Sequence, residues 1–204
     1  MIVVVDYGLC NVGSVLNMLK RIGAAAEISS DPARVGQADK LILPGVGAFD
    51  NGMANIERLG LLPVLDLKVR VEKTPILGIC LGMQLLTRRS EEGDRPGLGW
   101  IEADTRRFRL EPSGALRVPH MGWNELKPTR SHPLLEGLGH DARFYFVHSY
   151  HAVCDDVNDA IANAHYGYDF AAVIARDNVM GTQFHPEKSH RFGLALLRNF
   201  VEAV

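Results

Sequence analysis

Apolar positions in the first half of the chain follow two alternating patterns. Mainly apolar runs predict strands at 2–5, 24–28, 40–43 and 75–79. The run at 2–5 is continuously apolar, which is typical of a strand buried on both faces of a sheet. Between the runs, apolar residues spaced three or four apart predict helices over 12–22, 49–59 and 63–72. This strand–helix alternation predicts an α/β fold with three layers: a doubly wound, mainly parallel sheet with helices on both faces.

The pattern changes after residue 100. Short β-type runs at 105–110, 143–147, 160–165, 171–176 and 179–184 predict a few antiparallel strands at one edge of the sheet. The polar, glycine-rich stretch 90–99 predicts a loop. A last helix is expected over 190–203, with Ser189 as its capping residue. No repeat or linker divides the chain, so we expect one domain over 1–204.

Composition narrows the function classes. The 204 residues suffice for one sizeable core, and 47% apolar with 23% charged residues is typical of globular proteins. A net charge of −2 gives no indication of nucleic acid or an anionic membrane surface as partner, and no apolar run is long enough to span a bilayer. Three widely separated cysteines, Cys10, Cys80 and Cys154, argue against a disulfide framework and for a cytoplasmic location.

Cys80 is the strongest candidate for chemistry. It ends the fourth predicted strand, a helical run begins at once, and Gly78 and Gly82 flank it at two positions on either side. This is the thiol version of the strand–nucleophile–helix elbow of serine hydrolases. A helix N-terminus favours the nucleophilic thiolate. A lone cysteine is more often a buried structural residue, but the elbow favours a nucleophile.

His185 and Glu187 are the candidate base and its orienting group. They follow the apolar run 179–184, so they lie at another strand end. Pro186 keeps His185 extended, which places the two side chains on the same side. Glu187 can then accept a hydrogen bond from one imidazole nitrogen and leave the other for the sulfur. The alternative is a simple turn with a solvated carboxylate.

The glycine-rich turn at 44–47 is the third candidate. It lacks the Lys-Ser/Thr of a phosphate-binding loop and the full dinucleotide-binding glycine pattern. We interpret it as an oxyanion loop, in which the N–H groups of Val46 and Leu81 stabilise the negative charge of an acyl-transfer intermediate. The alternative is a turn that serves backbone geometry alone.

Along the chain the three motifs are Pro44-Gly45-Val46-Gly47, the elbow at 78–84 and His185-Pro186-Glu187. In that order they resemble the motifs of the class I glutamine amidotransferases. Further stretches resemble the glutaminase subunits of imidazole glycerol phosphate synthases; they are Asp6-Tyr7-Gly8 followed by Asn11, Gly82-Met83-Gln84, and the segments 90–93, 119–124, 146–150 and 184–189. The likeness runs essentially from end to end of the chain.

The resemblance implies a reaction. Cys80 would attack the side-chain amide of L-glutamine to form a thioester, and His185, oriented by Glu187, would protonate the leaving ammonia and later activate water. The positions matching substrate-binding residues of the family are Gly47, Gln84, Glu92, Ser149 and Tyr150. For Glu92, the alternative is a solvated loop charge. The family implies no cofactor and no metal, and His120, His148 and His151 lack the spacing of a ligand cluster.

The resemblance also implies a partner. In the family, a face docks on a (β/α)₈ cyclase/synthase subunit to form a heterodimer, and ammonia crosses to it for the synthesis of imidazole glycerol phosphate and AICAR in histidine biosynthesis. The positions matching this face are Pro119, His120, Met121, Trp123 and Lys188. A sealed route makes physical sense because ammonia released into water is protonated and loses its nucleophilicity. For Trp123, the alternative is an ordinary core aromatic residue.

Cys10 departs from the family pattern, which has glycine at this position. A side chain there predicts a strained or altered turn near Cys80. It leaves open a paralogous glutaminase that supplies another synthase, for example in the synthesis of surface polysaccharide sugars. Two other hypotheses remain: a stand-alone γ-glutamyl hydrolase, and an interaction subunit that keeps the fold without catalysis.

Overall fold

The computed structural model describes residues 1–111, 114, 116–139 and 141–204. Its strands are, in chain order, β1 (Ile2–Val5), β2 (Ala26–Ser29), β3 (Lys40–Gly45), β4 (Ile76–Cys80), β5 (Arg89–Ser90), β6 (Ala103–Arg107), β7 (His120–Glu125), β8 (Lys127–Pro128), β9 (Arg143–His148), β10 (Tyr150–Cys154), β11 (Ala160–Tyr166), β12 (Tyr168–Arg176) and β13 (Val179–Thr182). Its α-helices are α1 (Val12–Arg21), α2 (Pro32–Val35), α3 (Phe49–Arg58), α4 (Leu61–Asp66), α5 (Leu81–Leu85) and α6 (His190–Glu202).

An eight-stranded sheet forms the centre of the molecule, with the strand order β2-β1-β3-β4-β13-β12-β11-β8. The first five strands in this order are parallel. The last three are antiparallel to their neighbours and form one edge of the sheet. The predicted α/β class, the parallel core and the antiparallel edge are therefore confirmed.

Helices cover both faces of the sheet because every second strand residue points to the same face. In β1, Ile2 and Val4 belong to an apolar core that includes residues of α1 and α6. Val3 and Val5 belong to a second core that includes residues of α3 and α4. The continuous apolar run of β1 is thus explained by burial on both of its faces.

Three of the five runs predicted for the antiparallel edge lie elsewhere, which is a correction. The run at 179–184 corresponds to β13, which is parallel to β4 in the interior of the sheet. The run at 105–110 corresponds to β6, which belongs to a separate three-stranded sheet with β5 and β10. The run at 143–147 corresponds to β9, which forms a separate two-stranded sheet with β7. β7 was not predicted, because its inward-facing positions are His120, Gly122 and Asn124 rather than aliphatic residues. The alternation of buried and exposed positions therefore leaves no apolar pattern in the sequence.

The expected side-chain cap of α6 is also wrong. Ser189 stands at the first position before the helix, but its hydroxyl makes no capping bond. The Oγ atom instead donates to the backbone oxygen of His185 at 2.6 Å and accepts from the backbone nitrogen of Tyr145 at 3.0 Å. Ser189 therefore joins the segment after β13 to β9, beside the predicted catalytic histidine.

The turn at the end of β4 is tight and strained. Cys80 has φ 54° and ψ −109°, a region that residues with a side chain rarely adopt and that costs about 1–3 kcal/mol. A Cβ atom on Gly82 would clash with the backbone oxygen of Leu43 in β3. Glycine next to the elbow thus lets α5 pass close above the neighbouring strand.

No helix in the described ranges is long and apolar enough to cross a membrane.

Replacing Gly82 with Ala tests this close approach. We expect Gly82→Ala to lower the free energy of unfolding by about 1–3 kcal/mol, because the new methyl group must displace backbone. Gly13→Ala is the matched control, since a Cβ atom there has nothing within 4 Å. Urea unfolding measures both variants, and equal midpoints would contradict the packing described for the elbow.

Candidate active site

A cavity of about 400 Å³ opens beyond the carboxyl ends of β3 and β4, where parallel α/β sheets bind their ligands. Its lining consists of Val46, Gly47, Cys80, Leu81, Gln84, Glu92, Pro119, Val147, His148, Ser149, Tyr150 and His185. The structure therefore brings together every residue predicted for catalysis, oxyanion binding and substrate binding, except Glu187, which lies behind the imidazole of His185.

His185 and Glu187 form a buried pair. Glu187 Oε1 lies 2.7 Å from His185 Nδ1, and the two side chains are only 6% and 2% exposed. The other imidazole nitrogen, Nε2, has no hydrogen-bond partner among the described residues. It is the nitrogen that remains for proton transfer within the cavity.

The electrostatics of His185 favour its charged form. Burial lowers the pKa of the imidazole, but the interactions with Cys80 and Glu187 outweigh burial and raise the pKa to about 9. No hydrogen bond joins Cys80 Sγ to the imidazole in this geometry. An imidazolium at neutral pH can donate a proton to a leaving group.

Gln183 is a contact of the nucleophile that the sequence analysis missed. Its Nε2 atom donates to Cys80 Sγ at 3.8 Å. Gln84 Nε2 donates both to Gln183 Oε1, at 3.2 Å, and to the backbone oxygen of Tyr150, at 3.1 Å. The signal for Gln183 in the sequence is a polar side chain inside the apolar run 179–184, two positions before His185.

Val46 does not direct its N–H group into the cavity, which corrects the oxyanion prediction for this conformation. The backbone nitrogen of Val46 donates to the backbone oxygen of Leu9 at 2.6 Å. A donor already used in this way cannot also stabilise an oxyanion. Leu81, the first residue of α5, lines the cavity as expected. The first N–H groups of a helix have no partner within the helix, so the N–H group of Leu81 is not used by α5 itself.

Glu92 is held in place rather than free in solvent. Its Oε2 atom accepts from the backbone nitrogen of Phe49 at 2.9 Å, and its own backbone nitrogen donates to Ser90 Oγ at 3.1 Å. Phe49 is the first residue of α3, which has no capping bond from its own preceding residue. The carboxylate thus satisfies a helix N-terminus and still lines the cavity.

The residues predicted for the interface fall into two groups. Pro119, Met121, Trp123 and Lys188 are exposed, with Met121 at 61% and Trp123 at 48%. Trp123 is therefore no core aromatic; its ring stacks on His190. His120 is only 3% exposed and points inward, because neighbouring residues of β7 alternate between its two sides. The prediction that His120 itself belongs to a surface is therefore corrected.

Cys10 shows no backbone strain, although strain was expected there. It does not have a positive φ, whereas the neighbouring Gly8 does. Burial and the nearby carboxylate of Asp6 raise the pKa of the Cys10 thiol to about 12, so this thiol stays protonated at neutral pH. Within the described residues, no group of three or more His, Cys, Asp or Glu side chains is arranged to hold a metal ion.

Comparisons with known proteins place this site in a family. The family model "Glutamine amidotransferase class-I" matches residues 3–204. The chain is 54% identical over 204 residues to "Imidazole glycerol phosphate synthase subunit HisH 2" of Pseudomonas aeruginosa, with 100% of both chains covered. It is 50% identical over 202 residues to the protein of the same name in Methanococcus maripaludis, with 99% of each chain covered.

Solved structures support the same fold. "Structure of PurLQS from Thermotoga maritima" matches with a TM-score of 0.74 and 16% identity, covering 99% of this chain and 97% of that chain. "Crystal structure of glutamine amidotransferase" matches with a TM-score of 0.72 and 22% identity, covering 98% and 97%. At these identities the likeness concerns the fold, and the full-length relatives carry the assignment: this chain belongs to the class I glutamine amidotransferases.

Proposed function

We propose that this chain is the glutaminase subunit of an imidazole glycerol phosphate synthase. It hydrolyses L-glutamine to glutamate and ammonia, and the ammonia passes to a (β/α)₈ synthase subunit that makes imidazole glycerol phosphate and AICAR in histidine biosynthesis. The observation that carries the proposal is one cavity lined by Cys80 and by His185, whose imidazole is bound to Glu187 behind it. The chain is similar over its whole length to proteins with that subunit name.

The first half of the reaction releases ammonia. The thiolate of Cys80, favoured by the neighbouring imidazolium of His185, attacks the side-chain amide carbon of glutamine, and the carbonyl electron pair moves onto the oxygen. When the carbonyl re-forms, the C–N bond breaks and the nitrogen takes a proton from His185 Nε2. The raised pKa of His185 suits this step, because the imidazole is protonated before the substrate reacts.

The second half of the reaction restores the enzyme. A water molecule attacks the thioester carbon while the now neutral His185 Nε2 accepts its proton. The C–S bond breaks, glutamate leaves, and the sulfur and imidazole regain their starting charges. Glu187 keeps the ring oriented throughout, because its bond to Nδ1 at 2.7 Å leaves only Nε2 free to exchange protons.

Stabilisation of the oxyanion requires one backbone rearrangement. The N–H group of Leu81 is at the start of α5, but the N–H group of Val46 is bound to Leu9. Release of that bond and rotation of the peptide would supply the second donor. One such donor lowers the activation free energy by about 3 kcal/mol. The free chain is therefore expected to be slow, and a partner that releases Val46 would activate it.

The exposed residues Pro119, Met121, Trp123 and Lys188 form the proposed docking face for the synthase subunit. Pro119 also lines the cavity, so this face lies at the cavity mouth. A (β/α)₈ subunit seated here would cover the opening and give ammonia a route that excludes water. Aromatic and methionine side chains are enriched at such interfaces.

Replacing the nucleophile separates the two half-reactions. We expect Cys80→Ala to lower glutamine-dependent turnover of the complex at least about a thousandfold, while turnover on added ammonium remains unchanged, because the acceptor chemistry belongs to the partner. Coupled product formation measures both activities. Cys154→Ala, which changes a cysteine outside the cavity, serves as control and should leave both activities unchanged.

Full glutamine-dependent activity in Cys80→Ala would contradict the proposal. High glutamine hydrolysis by the free wild-type chain would favour the stand-alone hydrolase. Failure of an electrophilic glutamine analogue to label Cys80 in the complex would favour the interaction subunit without catalysis.

The charge of His185 predicts a pH dependence of stability. Its folded pKa of about 9 is above the ordinary value of 6.5, so the stabilisation is fully present below pH 6.5 and is lost as pH rises to 9. We expect Glu187→Gln, which removes one cause of the shift, to make unfolding less dependent on pH in this range. Urea unfolding between pH 6 and 9 measures the slope, and identical slopes would contradict the role of Glu187.

The acceptor is identified by genetic replacement. This chain should restore growth without histidine to a bacterial strain that lacks its own histidine-pathway glutaminase subunit but expresses the matching synthase. Co-purification with that synthase, and activation by it, should accompany growth. Activation by a different synthase instead would identify the paralogous glutaminase.

A further inference from the structure

Two buried histidines meet beneath the docking face. The antiparallel pairing of β7 and β9 places His120 directly opposite His148. His120 Nδ1 lies 3.0 Å from His148 Nε2, and both side chains are almost fully buried. Neither residue has a part in the reaction proposed above, although His148 lines the cavity.

The hydrogen bonds of this pair have a defined direction. His148 Nδ1 lies 2.8 Å from the backbone oxygen of Tyr150, and a carbonyl oxygen only accepts, so Nδ1 carries the hydrogen. His148 Nε2 then accepts from His120 Nδ1. His120 Nε2 in turn accepts from Asn124 Nδ2 at 3.3 Å. This assignment requires neutral rings, and burial lowers the pKa of His120 to about 4 and that of His148 to about 3.

The same bonds continue to the nucleophile. The backbone oxygen of Tyr150 also accepts from Gln84 Nε2, whose second hydrogen goes to Gln183 Oε1. Gln183 must then direct its Nε2 atom, rather than its oxygen, at Cys80 Sγ. Hydrogen bonds thus connect Asn124, His120, His148, the Tyr150 carbonyl, Gln84 and Gln183 in one continuous series.

An ordinary core role does not explain these polar groups. His120 stacks between the rings of Phe146 and Tyr166, at centroid distances of 4.8 and 4.1 Å. An aromatic hydrocarbon side chain suits such a position without the cost of burying polar nitrogens. A fully paired buried network is instead suited to holding one specific arrangement.

We propose that His120 is a positioning residue for the glutaminase reaction. By donating to His148 Nε2, it holds the ring of His148 in the orientation in which Nδ1 donates to the Tyr150 carbonyl. That carbonyl orients the amide of Gln84, and Gln84 orients Gln183 so that an N–H group, and not a carbonyl oxygen, points at the sulfur of Cys80. The proposal rests on the proposed function, because the reaction that it serves is glutamine hydrolysis.

Two substitutions of His120 form a matched test. An asparagine amide nitrogen occupies the place of imidazole Nδ1 and can still donate to His148, whereas a glutamine amide reaches the place of Nε2 and cannot. We expect His120→Gln to lower the kcat for glutamine hydrolysis in the complex about threefold to tenfold, the effect of one lost hydrogen bond. His120→Asn should stay within about twofold of wild type.

A second measurement reports the bond between the two histidines directly. In nitrogen-15 NMR of the free chain, His148 Nδ1 should carry the hydrogen in all three proteins, because the Tyr150 carbonyl is unchanged. The Nε2 resonance should be that of a hydrogen-bonded acceptor in wild type and His120→Asn, and should move downfield in His120→Gln, where the bond from residue 120 is lost. The affinity for the synthase should not change in either variant, because His120 is only 3% exposed. Thermal unfolding checks that both variants are folded.

Equal kcat values for wild type and His120→Gln, or an unchanged His148 Nε2 resonance in that variant, would overturn the positioning role. Equal loss of activity in both variants would also overturn it, because packing alone would then be responsible. A wild-type complex that released no ammonia from glutamine would count against the proposed function instead, and the Nε2 resonance in the free chain would still decide the role of His120.

Discussion

The strained backbone at Cys80 is the constraint on which the rest of the site depends. A positive φ at the end of β4 lifts the thiol out of the sheet, and the chain then enters α5 directly. That geometry is possible only because Gly82 passes over β3 without a side chain. The cost of about 1–3 kcal/mol is offset by burial of β4 and α5 in the two apolar cores.

Parallel pairing then brings in the imidazole. β13 is the direct neighbour of β4, so His185, just beyond β13, lies beside Cys80 although a long stretch of chain separates them. Two hydrogen bonds between β9 and the segment after β13 hold this arrangement. The backbone nitrogen of His185 donates to the backbone oxygen of Tyr145, and the backbone nitrogen of Tyr145 donates to Ser189 Oγ. The small β7–β9 sheet thus supports the histidine from outside the main sheet.

The sequence predicted well those parts in which local pattern and long-range packing agree. The buried strands, the elbow at Cys80 and the His185–Glu187 pair all follow from short-range signals. It did not predict β7, whose alternation is carried by polar residues, or the bonds of Ser189, which depend on a strand that is distant along the chain. The state of Val46 also escaped prediction, because its N–H group is bound to Leu9, which is distant along the chain.

Gln183 illustrates why contacts of the nucleophile are hard to read from a single chain. A polar residue in an apolar strand signals a buried hydrogen bond, but the sequence does not say with which group. Only the pairing of β13 with β4 and the position of Gln84 determine that partner.

The bond between Val46 and Leu9 has a consequence for metabolism. In the function proposed above, a copy of this chain without a synthase subunit would consume glutamine for no product if it were fully active alone. With the N–H group of Val46 tied to the loop after β1, surplus copies would hydrolyse glutamine slowly, so the two subunits need not be produced in equal amounts.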